Sequence, residues 1–353
     1  MRTISAALAG IATVVLAACG SSTPSSVPAA GVPQAGHDRS VDGSTVAYQN
    51  AHLYVLSDTM LREFPARTNS DGAQALRAVH LEGSITTMTD LAIAPDGTVY
   101  VAGTNTARQG VLYAYAPGKA VPEVTMVLPA PPCSIALVGD AFDVATQTAI
   151  YSYPYGSGTH PAAIRTLTLP SVSGPLSSEC ATSTDNDDHL YVARGIDRNQ
   201  QDEILEFAAG AKGGAIPIRT FTAPHGIVAV SVAVDGTVYS AGGDPADTPK
   251  NVTVATTTAS AGRLAAAYCS PTAISAMTVD RSGDVYVGVS IPSFFTQNGY
   301  TDPRRVDVFA PTSVATIGSS CTTAVGQSPA NAVWHVTNAV GTGEVVRAVA
   351  IGP

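Results

Sequence analysis

The chain has 353 residues, a net charge of -9 and 45% hydrophobic residues, enough apolar material for a large buried core. Its 18 Lys and Arg are dispersed among 27 Asp and Glu, which argues against a nucleic-acid partner, because phosphate binding needs clustered cations. Aromatics make up only 6%, and 32 Gly and 24 Pro punctuate a chain rich in Thr, Ser, Ala and Val, a mixture suited to many short strands and turns.

Residues 1–18, "MRTISAALAGIATVVLAA", place one Arg before an apolar run. The run is shorter than the ~20 residues of a membrane span and suits a secretory signal. It ends in Leu16-Ala17-Ala18-Cys19, then Gly20, which resembles a bacterial lipobox. The resemblance implies cleavage before Cys19, lipidation of Cys19 and an exported protein anchored in the cell envelope. More than one acyl chain would be needed for stable anchoring. Gly20, in place of the Asp that tends to retain lipoproteins at the inner membrane, implies the outer membrane where the host has two. The alternative is an ordinary signal peptide with an incidental cysteine. The stretch that follows Cys19, to residue 40, is Ser, Pro, Ala and Gly with little to bury, and reads as a flexible tether. Residues 41–353 are then the folded domain.

That domain repeats itself. Aligned on an aromatic anchor, the units centre on Tyr54, Tyr100, Phe142, Tyr191, Tyr239 and Tyr286. A steady period of this size marks a repeat architecture. Each unit has an alternating small/apolar strand, a turn rich in Asp and Gly, and a "VYVA"-like strand, as in "LAIAPDGTVYVAG" from Leu91. A second apolar run and a closing strand follow, such as "IRTLTLP" from Ile164 and "IRTFTAP" from Ile218. Period-two alternation gives each strand two different faces. Asp-Gly supplies positive φ for a two-residue hairpin turn. Six units of four short antiparallel strands predict an all-β fold, a six-bladed β-propeller. A pair of β-sandwiches would not explain a period repeated six times. The Tyr239 unit fits worst, because "NVTVATTTA" (251–259) replaces the aromatic ending of its second half. The first unit lacks a convincing inner strand, and "VVRAVAIGP" at Val345–Pro353 is expected to supply it, closing the ring and removing an open edge.

"LAIAPDGTVYVAG", "EILEFAAGAKGG" and "IPIRTF" resemble NHL-type repeats over residues 50 to 350 or so. The resemblance implies the propeller architecture. It carries no activity, since many such propellers are envelope proteins without an assigned one.

Apart from Cys19 there are four cysteines, Cys133, Cys180, Cys269 and Cys321. In an exported chain this suggests two disulfides. Of three possible pairings, Cys133–Cys180 and Cys269–Cys321 join equivalent positions on consecutive units. A metal site or free thiols are the alternatives, but no CxxC and no His at ligand spacing accompanies them.

Motifs of chemistry are few. Asp185, Asn186, Asp187 and Asp188 form the densest acidic cluster, but lack the Gly and distal Glu of a calcium loop and align with the "PDGT" turn. Asp90 and Glu179 precede inner strands, where a propeller strand meets the central channel. Gluconolactonase-like propellers bind a divalent ion there, and two carboxylates fall short of the three or four oxygen ligands needed. His225 begins another unit, and His335 beside Trp334 lies in "NAVWHVTN", which reads as an inner strand. Asp90, Glu179 and His225 are the channel candidates. No catalytic residue, metal ligand or cofactor is assigned. The connections between second and third strands differ most. The longest, from Ser290 to Arg305, carries Phe294, Phe295 and Tyr300, either a contact patch or packing on its own blade.

These observations predict an envelope-anchored binding or scaffolding module for protein or glycan ligands, with no nucleic acid. The alternative is a metal-dependent, lactonase-like hydrolase or lyase working at the channel.

Overall fold

The computed structural model describes residues 51–66, 74–82, 85–159, 161–172, 176–196, 202–223, 226–242, 273–290, 304–310, 334–336, 339–340 and 344–353. The segments expected to be a signal peptide and a tether, with Cys19, lie outside them, as do His225, Cys269, Cys321, Phe294, Phe295 and Tyr300.

All elements among the described residues are strands. The first blade contains β1 (His52–Leu56), β2 (Met60–Pro65) and β3 (Arg77–His80). The second contains β4 (Ile85–Ile93), β5 (Val99–Asn105), β6 (Gly110–Tyr115) and β7 (Val124–Val127). The third contains β8 (Ser134–Val138), β9 (Ala141–Ala145), β10 (Ala149–Pro154) and β11 (Arg165–Thr168). The fourth contains β12 (Leu176–Thr184), β13 (Leu190–Ile196), β14 (Asp202–Phe207) and β15 (Arg219–Ala223). The next unit contributes β16 (Ile227–Val232) and β17 (Val238–Gly242). The last blade contains β18 (Ala273–Val279), β19 (Val285–Ser290), β20 (Arg305–Phe309) and β21 (Trp334–Val336), and β22 (Ala348–Gly352) ends the chain. Neighbouring strands pair antiparallel in chain order within each sheet.

Among the described residues the propeller has five four-stranded blades where the sequence predicts six. The Tyr239 unit forms a two-stranded sheet of β16 and β17. This is the unit whose second half departs from the repeat, and residues 243–272 lie outside the described residues. The innermost strands still touch in a closed ring, β22–β4–β8–β12–β16–β18 and back to β22. As the sequence predicts, the C-terminal strand completes the first blade. β22 pairs antiparallel with β1, from His52↔Gly352 to Leu56↔Ala348. The inner edge of the first blade is thereby covered.

The core lies between the sheets. Six apolar clusters each join one sheet to the next. Leu53, Val55 and Phe64 of the first blade pack on Tyr286, Val306 and Val308 of the last. Burying each such side chain contributes about 1.5–3 kcal/mol, so the ring is held by burial at every joint. Five of the six anchors face the following sheet. Phe142 does not: it packs into the cluster shared with the second blade, against Tyr100 and Tyr153. The cause is one residue of register. β8 and β9 meet through the two-residue turn Gly139-Asp140, closed by Val138↔Ala141. A one-residue slip exchanges the faces of a strand. The face Phe142 vacates is taken by Asp143, fully buried and held by Arg165 at 2.7 Å.

The Asp-Gly turns are three residues long, not two as expected. In the second blade Ala94 N–H donates to Thr98 C=O and Gly97 N–H to Ala94 C=O, with Gly97 alone at positive φ (83°). Asp96 keeps negative φ and accepts the Thr98 N–H at 2.9 Å. The same loop recurs with Gly236 (φ 79°) and Gly283 (φ 81°). This is a type I turn followed by a left-handed residue.

Successive blades are also latched on the outside. Gly213 N–H donates to Thr166 C=O at 2.8 Å, and Thr168 N–H donates to Gly213 C=O at 2.6 Å. The connection before β15 thus lies along the exposed edge of β11, and Glu82 N–H reaches Ala120 C=O at 3.0 Å in the same way after β3. The Gly213 contact shields an edge that would otherwise template pairing.

Candidate functional site

The six innermost strands enclose a central cavity of about 280 Å³. Small side chains line it because the inner strands converge and leave little room. Ser134, Thr182, Ser183, Ser231 and Thr278 bring hydroxyls, Asp90 brings a carboxylate, and Arg347 stands where β22 begins.

Asp90 is positioned by a break in β4, whose pairing with β5 shifts register between Met88 and Asp90. Its two oxygens accept three donors. Leu91 N–H reaches Oδ1 at 2.8 Å, while the Ser134 hydroxyl and Ile135 N–H reach Oδ2 at 2.6 and 3.0 Å. Ser134 in turn accepts from Thr182 N–H and from the Thr182 hydroxyl, each at 3.0 Å. Asp90 therefore ties the second blade to the third, and Ser134 ties the third to the fourth. The series continues. Ser183 accepts Val232 N–H at 3.2 Å and Ser231 accepts Val279 N–H at 3.1 Å. The hydroxyls of the channel wall thus join consecutive inner strands from β4 to β18.

Burial dominates the protonation of Asp90. Protein packs closely around it although part of its surface reaches the channel, and this pushes its carboxyl up to about 6. The hydrogen bonds from Ser134, Ile135 and Leu91 act in the opposite direction.

The predicted disulfide Cys133–Cys180 is present, with a Cα–Cα separation of 5.4 Å. It links the residue just before β8 to the middle of β12 in the channel wall, and contributes about 2–4 kcal/mol by constraining the unfolded chain. The expected pair Cys269–Cys321 lies outside the described residues.

Of the channel candidates, the structure places Asp90 in the wall. Glu179 sits on β12 one residue before Cys180, with its side chain outside the described residues, and His225 lies outside them altogether. Trp334 and His335 are on β21, the outermost strand of the last blade and not an inner one as expected. Only this outer position remains, because β18 already supplies the inner strand of that blade. The acidic cluster is a turn. Asp185 N–H donates to His189 C=O, and Asp188 takes the left-handed residue (φ 59°) that Gly97 takes in the second blade. Asp185 accepts from Asp187 N–H, His189 N–H and the Tyr191 hydroxyl, and lies 2.9 Å from His189 Nδ1. Among the described residues no group of three or more His, Cys, Asp or Glu is arranged to hold a metal.

Two features escaped the sequence reading. The first is a set of buried carboxylates met by arginines of the fourth strands: Glu63 with Arg77, Asp143 with Arg165, and Glu206 with Arg219. The near-duplicate "IRT" segments carried the signal for two of these arginines, since their Arg heads the closing strand each time. The second is a groove of about 620 Å³ between the third and fourth blades, lined by Leu169, Pro170, Leu205 and Ile216. Arg194 crosses it, donating to Glu203 at 2.6 Å and to Pro170 C=O at 2.5 Å.

Comparison with known proteins bears on the fold. No protein-family model matches the chain. No curated protein matches it in sequence. Solved propeller-like structures do resemble it. A Bacteroides caccae protein of unknown function superposes with a TM-score of 0.58 at 10% identity, over 86% of this chain and 98% of that one. A putative 6-phosphogluconolactonase from Bacteroides fragilis gives a TM-score of 0.52 at 12% identity, over 88% of this chain and 100% of that one. At such identities the likeness is one of fold, and a fold of this kind hosts many functions.

Proposed function

We propose that the protein is a lipid-anchored β-propeller of the cell envelope, with NHL-like repeats, that works as a binding or scaffolding module for a protein or glycan ligand. One observation carries this reading: the strands repeat one antiparallel blade pattern while the connections between second and third strands vary. Three of these are tight, at residues 57–59, 106–109 and 146–148, whereas another spans 291–304. They occupy equivalent places in their blades. Asn105 shapes one of them, its Oδ1 accepting Ala107 N–H and Gln109 N–H at 3.0 Å each. A rigid disc with unequal loops concentrates recognition in the loops. Anchoring rests on the lipobox ending in Cys19.

The alternative, a metal-dependent hydrolase at the channel, has less support, because both oxygens of Asp90 are engaged by protein donors. The test compares the full chain with a variant in which residues 291–303 are replaced by a tight turn, after cross-linking in the envelope. Loss of the cross-linked partner or of glycan retention, with unchanged melting, supports the reading. Undiminished capture by the shortened variant refutes the role of that loop. Palmitate labelling that persists in Cys19→Ala refutes the anchor.

A further inference from the structure

The chain of side chains at the channel wall has a direction. With Asp90 ionised, hydrogen-bond donation runs from the Thr182 hydroxyl to Ser134 and from Ser134 to Asp90 Oδ2. A proton on Oδ2 would point a donor at a hydroxyl that already donates toward it. The conflict resolves if Ser134 accepts from Asp90 and turns its own proton toward Thr182. The Thr182 hydroxyl, displaced as donor, then turns into the cavity it lines. The three groups belong to three successive blades, so one proton changes two inter-blade contacts at once. Ser134 still accepts Thr182 N–H and Asp90 still accepts Ile135 N–H, so the backbone contacts persist in both states.

We propose that Asp90, Ser134 and Thr182 form a proton-operated latch that reverses its hydrogen-bond order when Asp90 is protonated, converting the Thr182 hydroxyl from a bond between blades into a donor facing the channel.

The surroundings suit such a device. Of the elements against Asp90, β5 brings Tyr100, which is turned into the apolar cluster between the second and third blades. β8 brings no titratable side chain. The two nearby cysteines are joined to each other. Arg347, ahead of β22, is paired with Asp58 at 2.6 Å. Glu179, on β12, has its side chain outside the described residues. Burial, which holds the carboxyl near 6, places the reversal in the mildly acidic range where histidine switches also operate.

The test is a pH series of thermal melts on the full chain, with infrared detection of the protonated carboxyl. It uses wild type, Asp90→Asn, Ser134→Ala and Thr182→Val. Wild type is expected to show a protonated-carboxyl band with a midpoint near 6 that is absent from Asp90→Asn. Ser134→Ala removes a donor to the carboxylate and moves the midpoint upward. Thr182→Val, which does not touch Asp90, also moves it upward, by ~0.5 pH unit or more, because Ser134 loses a polarising donor. A midpoint unmoved in Thr182→Val overturns the chain, as does a band that survives in Asp90→Asn. Should Ser134→Ala fail to fold, the Thr182→Val midpoint decides alone.

Discussion

The Tyr54 hydroxyl donates to the backbone carbonyl of Pro353 at 2.8 Å, so the anchor of the first repeat holds the last residue of the chain. Around this contact β22 pairs with all of β1, and Arg347 N–H donates to Leu56 C=O at 2.8 Å. Val346, Ala348 and Val349 bury their side chains in the two clusters that flank the first blade. Deleting residues 344–353 should therefore open two inter-blade joints together and lower the melting temperature of the whole ring, with loss of cooperative unfolding. Tyr54→Phe, which keeps the ring and removes one hydrogen bond, should cost only about 0.5–1.5 kcal/mol in denaturant titration. A truncated chain that melts like wild type would show that the strand does not close the propeller.

A second prediction concerns Asp143, whose side chain is fully buried. Arg165 reaches both of its oxygens, at 3.0 and 2.7 Å, and also donates to Ser152 at 2.7 Å. Arg165→Ala leaves a carboxylate buried without its cation, which costs about 3–5 kcal/mol. The double variant Asp143→Ala/Arg165→Ala should be less damaging than Arg165→Ala alone, because no charge is left uncompensated. Equilibrium unfolding of the three variants gives the coupling directly.

The pH dependence of stability follows from Asp90. Its carboxyl lies above the ordinary 3.8, at about 6, so the folded state holds a proton more tightly than the unfolded state. The stabilisation is fully present below about 4 and is lost as pH rises through about 6. Its upper bound is about 3 kcal/mol, from about two units of displacement. Other carboxylates of the fold act the opposite way in acid, so the quantity to measure is wild type minus Asp90→Asn. That difference should fall between pH 4 and pH 7 and then level off. A flat difference would mean that Asp90 is solvated like a surface carboxylate.

Much of the architecture was legible because it depends on local rules that repeat. The aromatic anchors gave the unit, period-two alternation gave the strands, and the likeness of "AVAIGP" to "LAIAP" gave the closing strand. The errors came from what a period cannot show. Phe142 matched the anchors by residue type, yet the two-residue turn before it put it on the opposite face. The last "WHV" strand has the composition of an inner strand and lies at the outer edge, since edge and centre differ only in which strands come before it. The channel wall was legible only in part. Asp90 stood out as a charge ahead of an apolar strand, but Ser134 and Thr182 are ordinary strand residues until the ring brings three blades together. Arg77, Arg165 and Arg219 recur at the head of closing strands, but the acids they meet lie on the third strand in two blades and on the second in the other, so no fixed spacing marks the pairs.

The turns between first and second strands allow the backbone contribution to be isolated. Gly236 has φ 79° and an added Cβ would meet nothing within 4 Å, so Gly236→Ala should cost only the left-handed strain of an L-residue, about 1–2 kcal/mol. Gly97 has φ 83°, and its added Cβ would lie 3.2 Å from Pro117 Cγ. Gly97→Ala should carry the same strain and a crowded contact besides, and so exceed Gly236→Ala. Asp188 occupies the corresponding place with φ 59°, so Asp188→Gly relieves strain there and should stabilise by up to about 1 kcal/mol. Denaturant midpoints of the three variants, compared at constant slope, provide the check. If Asp188→Gly destabilises, the contacts made by its carboxylate outweigh the backbone strain, and the acidic turn is held by its side chains and not by its φ alone.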